Sequence, residues 1–418
     1  MLPPSSVPPP PHTRLRWRPL RLRLLLLVLA PLALAACGND NPVGLDLVDT
    51  GEGTPGQTNL PARATTAAAE DDFMAGVLDG DTNRVGARRA LLGRVADPVL
   101  GTVTSATGLV DFFAPAALAS SNLDSFRAEP VRSATLVLRR DRYTAGDTTA
   151  TLRLVLRPVL TELPSVGGPV DTTYTLGAPI TTVAMAPADT TVRIDLPAAW
   201  VAANDTTLRS RAFPTVFRGF ALEADATTGN LVRAFSYSGT HLQAIAGDDT
   251  VRFIAGKLGT LLTRTGTPTA GPDRLVLQDG VPVGYDLTFR TDTLGVANRG
   301  LGRAAVVVDL DTTVLRTPGF RRGTPAVELI GVDASGNIVV AANGAARVRA
   351  LGTLSRGRLV FTSTTLTAHL QQVLLGRTQG VAAYRIRTLT APATLDAFVI
   401  RTDAGFAPRF FLTLVDPS

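Results

Sequence analysis

The sequence predicts an all-β protein made of two tandem antiparallel β-sandwich domains of jelly-roll type, each with one short helix. The first indication is that apolar residues alternate with polar or small ones from about residue 71 onwards. The second is that the alternating runs are short, rich in β-branched residues and separated by Asp, Gly, Pro and Thr. The third is a loose internal repeat. Alternation is clearest at 131–140, 151–160, 192–196, 231–237, 286–290, 384–389 and 410–415.

The N-terminus has the pattern of an export signal. Five arginines lie between residues 14 and 23, and an apolar run continues through Ala36. This run is too short to span a bilayer as a helix, which takes about 20 residues. We therefore predict a signal peptide over residues 1–36.

The end of this signal, Leu34-Ala35-Ala36-Cys37, resembles the lipobox of bacterial lipoproteins. The resemblance implies that the chain is cut before Cys37 and that its thiol carries a lipid, with a fatty acid such as palmitate on the new N-terminus. Two or more acyl chains give stable membrane anchoring. Gly38 replaces the Asp that favours inner-membrane retention, so we expect an outer-membrane lipoprotein whose membrane partner is reached through Cys37.

Residues 37–70 are predicted to be the lipidated N-terminus followed by a flexible tether. Gly, Pro, Asn and Thr dominate this segment, and it lacks apolar periodicity.

The folded part is predicted to contain a first sandwich over 71–250 and a second over 257–418. Four elements recur in the same order: strands from Ser133 and Ala304, then helices near Pro197 and Thr365. Strands from Phe217 and Val381 follow, and then strands from Leu231 and Thr394. This recurrence indicates a duplication, with a boundary in the glycine-containing stretch 247–259.

Two helices are predicted. One covers TLTAHLQQVLLGR, where Leu366, Leu370 and Val373 share a face and Gly376 follows. The other is the short PAAWVAAN, with Pro197 at its start.

Four segments resemble bacterial outer-membrane lipoproteins grouped as domain-of-unknown-function family 4270. They are DPVLGTVTSAT (97–107), VRSATLVL (131–138), FRGFALEA (217–224) and PRFFLTLV (408–415). The resemblance implies lipid anchoring and a two-sandwich body. It implies no catalytic residues.

Charge and cysteine content exclude several classes. Five of the 41 Lys and Arg residues lie in 1–36, which has no Asp or Glu, so the rest of the chain carries 36 basic against 35 acidic residues. Such a balance has no electrostatic footprint for nucleic acid. Lys257 is the only lysine, which we interpret as a compositional bias towards Arg. One cysteine permits no internal disulfide.

Candidate catalytic residues are sparse, and we expect no enzyme activity and no cofactor. His241 and His369 lack metal-ligand spacing, and Ser238 near His241 has no nucleophile elbow around it. Glu223 and Glu328 lie in strand-like runs. They are the residues a glycan hydrolase would use if either met an Asp in a concave pocket, whereas solvent-facing strand positions are the commoner role.

Asp-Thr-Thr is the most frequent local pattern, and turn chemistry is its simplest interpretation. Calcium binding is the functional alternative, although isolated Asp residues supply few oxygen ligands. The weak calcium candidates are Asp248, Asp249, Asp309 and Asp311; no other metal site is predicted. Trp200, the one tryptophan after the signal, is expected in the core.

Three function classes follow. The first is a non-catalytic lipoprotein of the cell envelope whose domains bind a surface glycan or another envelope protein. The second is a structural or assembly component of the outer membrane with strand edges that pair with a partner. The third, and least supported, is a glycan hydrolase. Fold alone does not separate them.

Overall fold

The computed structural model describes residues 57–69, 89–98, 100–113, 124–162, 175–266, 271, 273–279, 283–290, 300–313, 326–341, 347–378, 380–389 and 394–415. All of these lie in one compact unit, Gly56–Ser418. The all-β prediction is confirmed, since strands dominate and pair in antiparallel sheets. No helix within the described ranges combines the length and apolarity needed to span a bilayer.

The first assembly, called the open sheet, has nine strands in the spatial order β6-β5-β8-β3-β10-β9-β4-β7, with β2 paired to β3 and β9. Its elements are β2 (Arg89–Asp97), β3 (Thr102–Phe113), α1 (Asp124–Ala128), β4 (Val131–Gly146), β5 (Leu152–Pro158), β6 (Thr181–Met185), β7 (Thr191–Asp195), α2 (Ala198–Arg209), α3 (Phe213–Val216), β8 (Phe220–Ala224), β9 (Leu231–Ala246) and β10 (Asp249–Thr265).

The second assembly, called the barrel, closes eight strands in the order β1-β12-β17-β14-β15-β16-β13-β19, and β11 pairs with β18 beside it. Its elements are β1 (Gln57–Ala69), β11 (Arg274–Gln278), β12 (Val283–Phe289), β13 (Gly300–Asp309), β14 (Val327–Val332), β15 (Arg349–Ser355), β16 (Arg358–Thr362), α4 (Thr364–Leu374), β17 (Ala383–Thr388), β18 (Ala397–Arg401) and β19 (Arg409–Val415).

The two assemblies share one strand order. Read from β15, the barrel runs β15-β14-β17-β12-β1-β19-β13-β16, which matches β6-β5-β8-β3-β10-β9-β4-β7 position by position. With one exception, the matched strands also follow one another in the same order along the chain. The helices α2 and α4 lie at equivalent places in this order. This agreement supports the internal repeat predicted from the sequence.

The exception is β1, which occupies in the barrel the place that β10 occupies in the open sheet. Gln57–Pro61 pair with β19, and Ala62–Ala69 pair with β12. The sequence predicts a flexible tether up to residue 70 and a second domain formed by 257–418 alone. The structure differs because the barrel has a strand position that the C-terminal half leaves empty, and main-chain pairing can fill it without an apolar pattern.

The glycine-containing stretch 247–259, expected to separate the domains, lies within the first assembly. Gly247 has a φ of 54° in the turn between β9 and β10, and the register shifts between Ala255 and Lys257. Both features are uses of glycine inside a hairpin, at a tight turn and beside a bulge. The open sheet therefore extends to Thr265.

The long helix forms where its apolar stripe predicts it. The Ser363 hydroxyl caps α4 by accepting from the Leu366 amide at 3.1 Å, and Leu366 and Leu370 are buried. Because its apolar face packs on the barrel core, α4 covers that core as part of the same cluster as β13 and β17.

Each assembly has its own apolar core. Aromatic side chains fill the core of the open sheet, where Phe213 lies 4.2 Å from Phe253 between ring centroids. Trp200 joins this core as a half-buried ring, 5.5 Å from Phe220. Tyr384 and Phe410 are the corresponding aromatic centre of the barrel.

The two assemblies meet where the segment before β18 packs on the open sheet. Leu395 packs against Leu91, Val95 and other side chains of the open sheet. The Tyr143 hydroxyl accepts from the Leu395 amide at 2.7 Å. Burial is the main cause that raises the pKa of Tyr143 far above its usual range, so the phenol stays neutral. The contact is therefore buried and hydrogen-bonded, as in a core.

Candidate functional site

Four of the predicted site residues lie outside the part of the chain that the structure describes. Leu34, Ala35, Ala36 and Cys37, the lipidation motif, lie outside the described residues.

The calcium candidates have other partners or stand apart. Asp309 is buried and accepts from Arg358 at 2.8 Å and from Arg409 at 2.6 Å. Asp311 accepts from Arg274 at 2.9 Å and from the Thr313 amide at 3.0 Å. Asp248 and Asp249 lie at the hairpin between β9 and β10. Within the described ranges, no three His, Cys, Asp or Glu residues are grouped to hold a metal.

The Asp-Thr-Thr pattern forms turns at Asp147 and Asp311, whereas at Asp205 it lies inside α2. Asp147 accepts from the amide and the hydroxyl of Thr149 at 2.9 and 2.6 Å, and Asp311 repeats the arrangement with Thr313. The hydrogen bonds from Thr149 lower the pKa of Asp147 below its usual value. These carboxylates stabilise the turns, as the simpler interpretation predicts.

The two glutamates considered for hydrolysis face arginines. Glu223 accepts from Arg157 at 2.7 Å on the open sheet. Glu328 is 3% exposed and lies between Arg387, at 2.9 Å, and Arg349. Each of these glutamates is held by arginine in an ion pair, which suits an anchor on a strand better than a free catalytic group.

The histidines are also placed apart. His241 Nδ1 lies 3.0 Å from the Gly239 carbonyl oxygen in β9. His369 is 1% exposed on α4, and neither of its ring nitrogens has a hydrogen-bond partner. Burial lowers the pKa of His369 below its usual value, so the ring is neutral inside the barrel core.

The feature that the sequence did not predict is an open seam in the first assembly, between β6 and β7. Within the described residues, β6 pairs with β5 alone and β7 with β4 alone. In the barrel the equivalent strands, β15 and β16, pair from Gly352↔Phe361 to Ser355↔Arg358. The seam therefore presents two short strand edges that its counterpart closes.

The connections explain why one hairpin closes and the other does not. Arg356 and Gly357 join β15 to β16 with φ of 46° and 79°, the left-handed pair that matches strand twist in a two-residue turn. The link from β6 to β7 is longer, from 186 to 190, and contains Pro187. It cannot form this tight turn.

Two arginines hold the longer link in place. Arg233 is 0% exposed and donates to the carbonyls of Met185, Ala186 and Ala150 at 3.1, 2.9 and 2.8 Å. Arg140 donates to the Pro187 carbonyl. Because side chains satisfy these carbonyls, the separation of β6 from β7 is a built feature of the fold rather than a frayed hairpin.

The edge strands expose polar and small side chains. Thr182 and Ala184 are exposed on β6, and Thr191, Arg193 and Asp195 on β7. An edge of this kind offers unpaired main-chain donors and acceptors in a polar setting.

A second cluster surrounds Lys257 on β10, which pairs with β3 in the middle of the same sheet. Lys257 of β10 lies opposite Asp111 of β3. Glu162 Oε1 is 3.9 Å from Lys257 Nζ, and Glu162 Oε2 is 3.2 Å from Arg218 Nη1. Burial is the main cause that raises the pKa of Asp111 to about 6. The sequence could have pointed to this cluster through its one lysine. It could not show which residues surround that lysine, because they are brought there by long-range strand register.

The comparisons with known proteins add no relative. No protein-family model matches this chain, and a search of curated proteins finds no significant match.

Proposed function

We propose that this chain is a non-catalytic, lipid-anchored protein of the cell envelope whose open sheet binds another envelope protein. The anchoring part rests on the arginine-rich segment, the short apolar run and the lipobox-like motif ending at Cys37. The near-balanced charge of the remaining chain gives no reason to invoke nucleic acid.

The single observation that supports binding is the seam between β6 and β7. The same strand order is closed in the barrel, so two edges are open in one repeat only. Adding a strand to an exposed sheet edge is a common way for β domains to recognise an extended peptide, because main-chain hydrogen bonds supply affinity. We therefore assign the binding role to the open sheet.

The arrangement of the acidic residues supports a non-catalytic role. Glu223, Glu328 and Asp309 are each engaged by arginine. General acid–base chemistry needs a carboxyl group that can reach a substrate proton, and these three carboxylates are already engaged by guanidinium groups of the fold.

The binding test is a pull-down with residues 38–418 as bait, against a detergent-solubilised envelope extract and against envelope polysaccharides. A protein captured in a fixed ratio supports the proposal. Retention of polysaccharide without a protein would replace it with the glycan-binding alternative.

An edge variant locates the contact. Ala184→Asp puts a charge on the exposed face of β6, and Leu351→Asp is the matched control on the equivalent strand of the barrel, where Leu351 is 56% exposed. We expect loss of the partner with the first variant only. Equal capture by both variants would place the contact elsewhere.

Anchoring has its own test. Cys37→Ser should release the protein from the membrane fraction or stop its maturation, because serine does not take the thioether-linked lipid. Unchanged membrane retention and unchanged gel mobility would contradict lipidation at Cys37.

A further inference from the structure

Lys257 is the one position in the chain where the basic residue is lysine; the other 40 are arginine. The two side chains differ in chemistry as well as shape. A lysine amine can lose its proton in a desolvated site and attack an electrophile, whereas a guanidinium stays protonated. A single lysine in a chain that otherwise uses arginine therefore suggests a reaction of the amine with an electrophile, which arginine cannot perform.

The fold places a carboxyl group beside this amine. Lys257 and Asp111 are directly opposite each other on the antiparallel strands β10 and β3. Directly opposed residues share a face of the sheet, with their Cβ atoms about 5 Å apart. At this separation the lysine side chain is long enough to bring its amine to the Asp111 carboxyl carbon.

The two side chains are largely shielded from water. Asp111 is 9% exposed, and the Lys257 side chain is 13% exposed. The Phe112 amide donates to Asp111 Oδ1 at 2.7 Å, which fixes the carboxyl group. A Cβ on Gly256 would lie 2.8 Å from the Phe113 ring, so the ring packs directly on the bulge that precedes Lys257.

The Glu162 carboxylate is placed to accept a proton from the Lys257 amine. Glu162 Oε1 is 3.9 Å from Lys257 Nζ, and the Glu162 side chain is 67% exposed, so it connects the buried amine to solvent. Arg218 holds the other carboxylate oxygen of Glu162 at 3.2 Å. The three elements of an acyl transfer are present: nucleophile, carboxyl carbon and base.

We propose that Lys257 and Asp111 form an intramolecular amide bond that covalently joins β10 to β3. The Nζ–Cγ bond forms, and the bond from Cγ to the hydroxyl oxygen of the protonated Asp111 carboxyl breaks. Of the three hydrogens of the ammonium group, one stays on the amide nitrogen, one leaves with the hydroxyl as water, and one passes through Glu162 to solvent. No atom changes oxidation state, and no cofactor takes part.

The reaction would serve this chain in a particular way. With one cysteine, it cannot make an internal disulfide. An amide between Asp111 and Lys257 closes the chain segment that holds β4 to β9, and constrains the unfolded state as a disulfide does.

The test is the intact mass of residues 38–418. The expected mass is lower than the sequence mass by about 18 Da, the mass of one water. Lys257→Arg keeps the charge but lacks the nucleophile, so it should have its full sequence mass; circular dichroism checks that it folds. Glu162→Gln should slow the appearance of the lighter species.

The single lysine supplies an independent readout. In the cross-linked protein an amine-reactive reagent under denaturing conditions should modify the N-terminal amine alone, and trypsin should not cut after Lys257. A full sequence mass in the wild-type protein, together with a labelled Lys257, would overturn the proposal and leave an ion pair. Membrane anchoring and partner binding do not enter this measurement.

Discussion

The open sheet and the barrel share one strand order, but the barrel closes into a ring and the open sheet does not. In the barrel, a two-residue turn brings β15 and β16 together, and a strand from the N-terminus completes the ring. In the open sheet, the link between β6 and β7 is held by Arg233 and Arg140, and the strands stay apart. One strand order can therefore be closed or left open, and the two assemblies differ at the connection between the strands that end it.

Removing β1 should have the largest effect on the difference between the two assemblies. Deleting residues 57–69 leaves the barrel with two unpaired edges, β12 and β19. We expect a loss comparable to the whole stability of a small domain, about 5 kcal/mol or more. Hydrogen exchange should show lost protection in β12 and β19 while the open sheet keeps its own.

A deletion of 38–56 is the control for this experiment, because it shortens the N-terminus and keeps β1. Equal protection in both deletion variants would mean that the barrel is stable without its N-terminal strand.

The next effect concerns the seam. Arg233→Met leaves the carbonyls of Met185, Ala186 and Ala150 without their buried donor. Buried groups left unsatisfied cost about 1–3 kcal/mol each, so we expect the open sheet to lose about 3 kcal/mol in urea unfolding. Arg153→Met, at an exposed position of β5, is the matched control and should change stability little. Similar losses in both variants would remove the special role of Arg233.

The smallest effect is a pH dependence confined to the barrel. The folded pKa of His369 is depressed because the ring is buried without partners. The unfolded chain therefore binds this proton more readily, and stability declines as pH falls below about 6.5 towards the folded pKa, by at most about 1.4 kcal/mol per pH unit.

His369→Met should remove this slope from urea unfolding followed between pH 7 and 5. His241→Gln, in the open sheet, is the control and should leave the slope in place. A slope that survives His369→Met would have another source.

Much of the fold could be predicted because the signals were local. The run Ser133–Leu138 lies in β4, and the stripe of Leu366 and Leu370 lies in α4. β1 was missed because Thr and Ala at 64–69 form no apolar pattern, and its strand state comes from partners more than 200 residues away.

The sites were less predictable for the same reason. Glu223 and Glu328 were recognised as strand residues, but their arginine partners depend on register. The seam depends on one link that fails to form a tight turn, and the Lys257 cluster on pairing between β3 and β10. The sequence identifies Lys257 as unusual, but only the strand register shows that Asp111 lies opposite it.

The pairing of Gln57 with Thr413 has a consequence for how the molecule is made. β1 is the first described strand to be synthesised and β19 the last, so the ring cannot close until the whole chain is present. Contacts between such distant residues form slowly, because a long loop must be ordered first. The open sheet can assemble from its own continuous segment meanwhile. Until β19 has been made, Gln57–Pro61 lack the strand with which they pair in the closed ring.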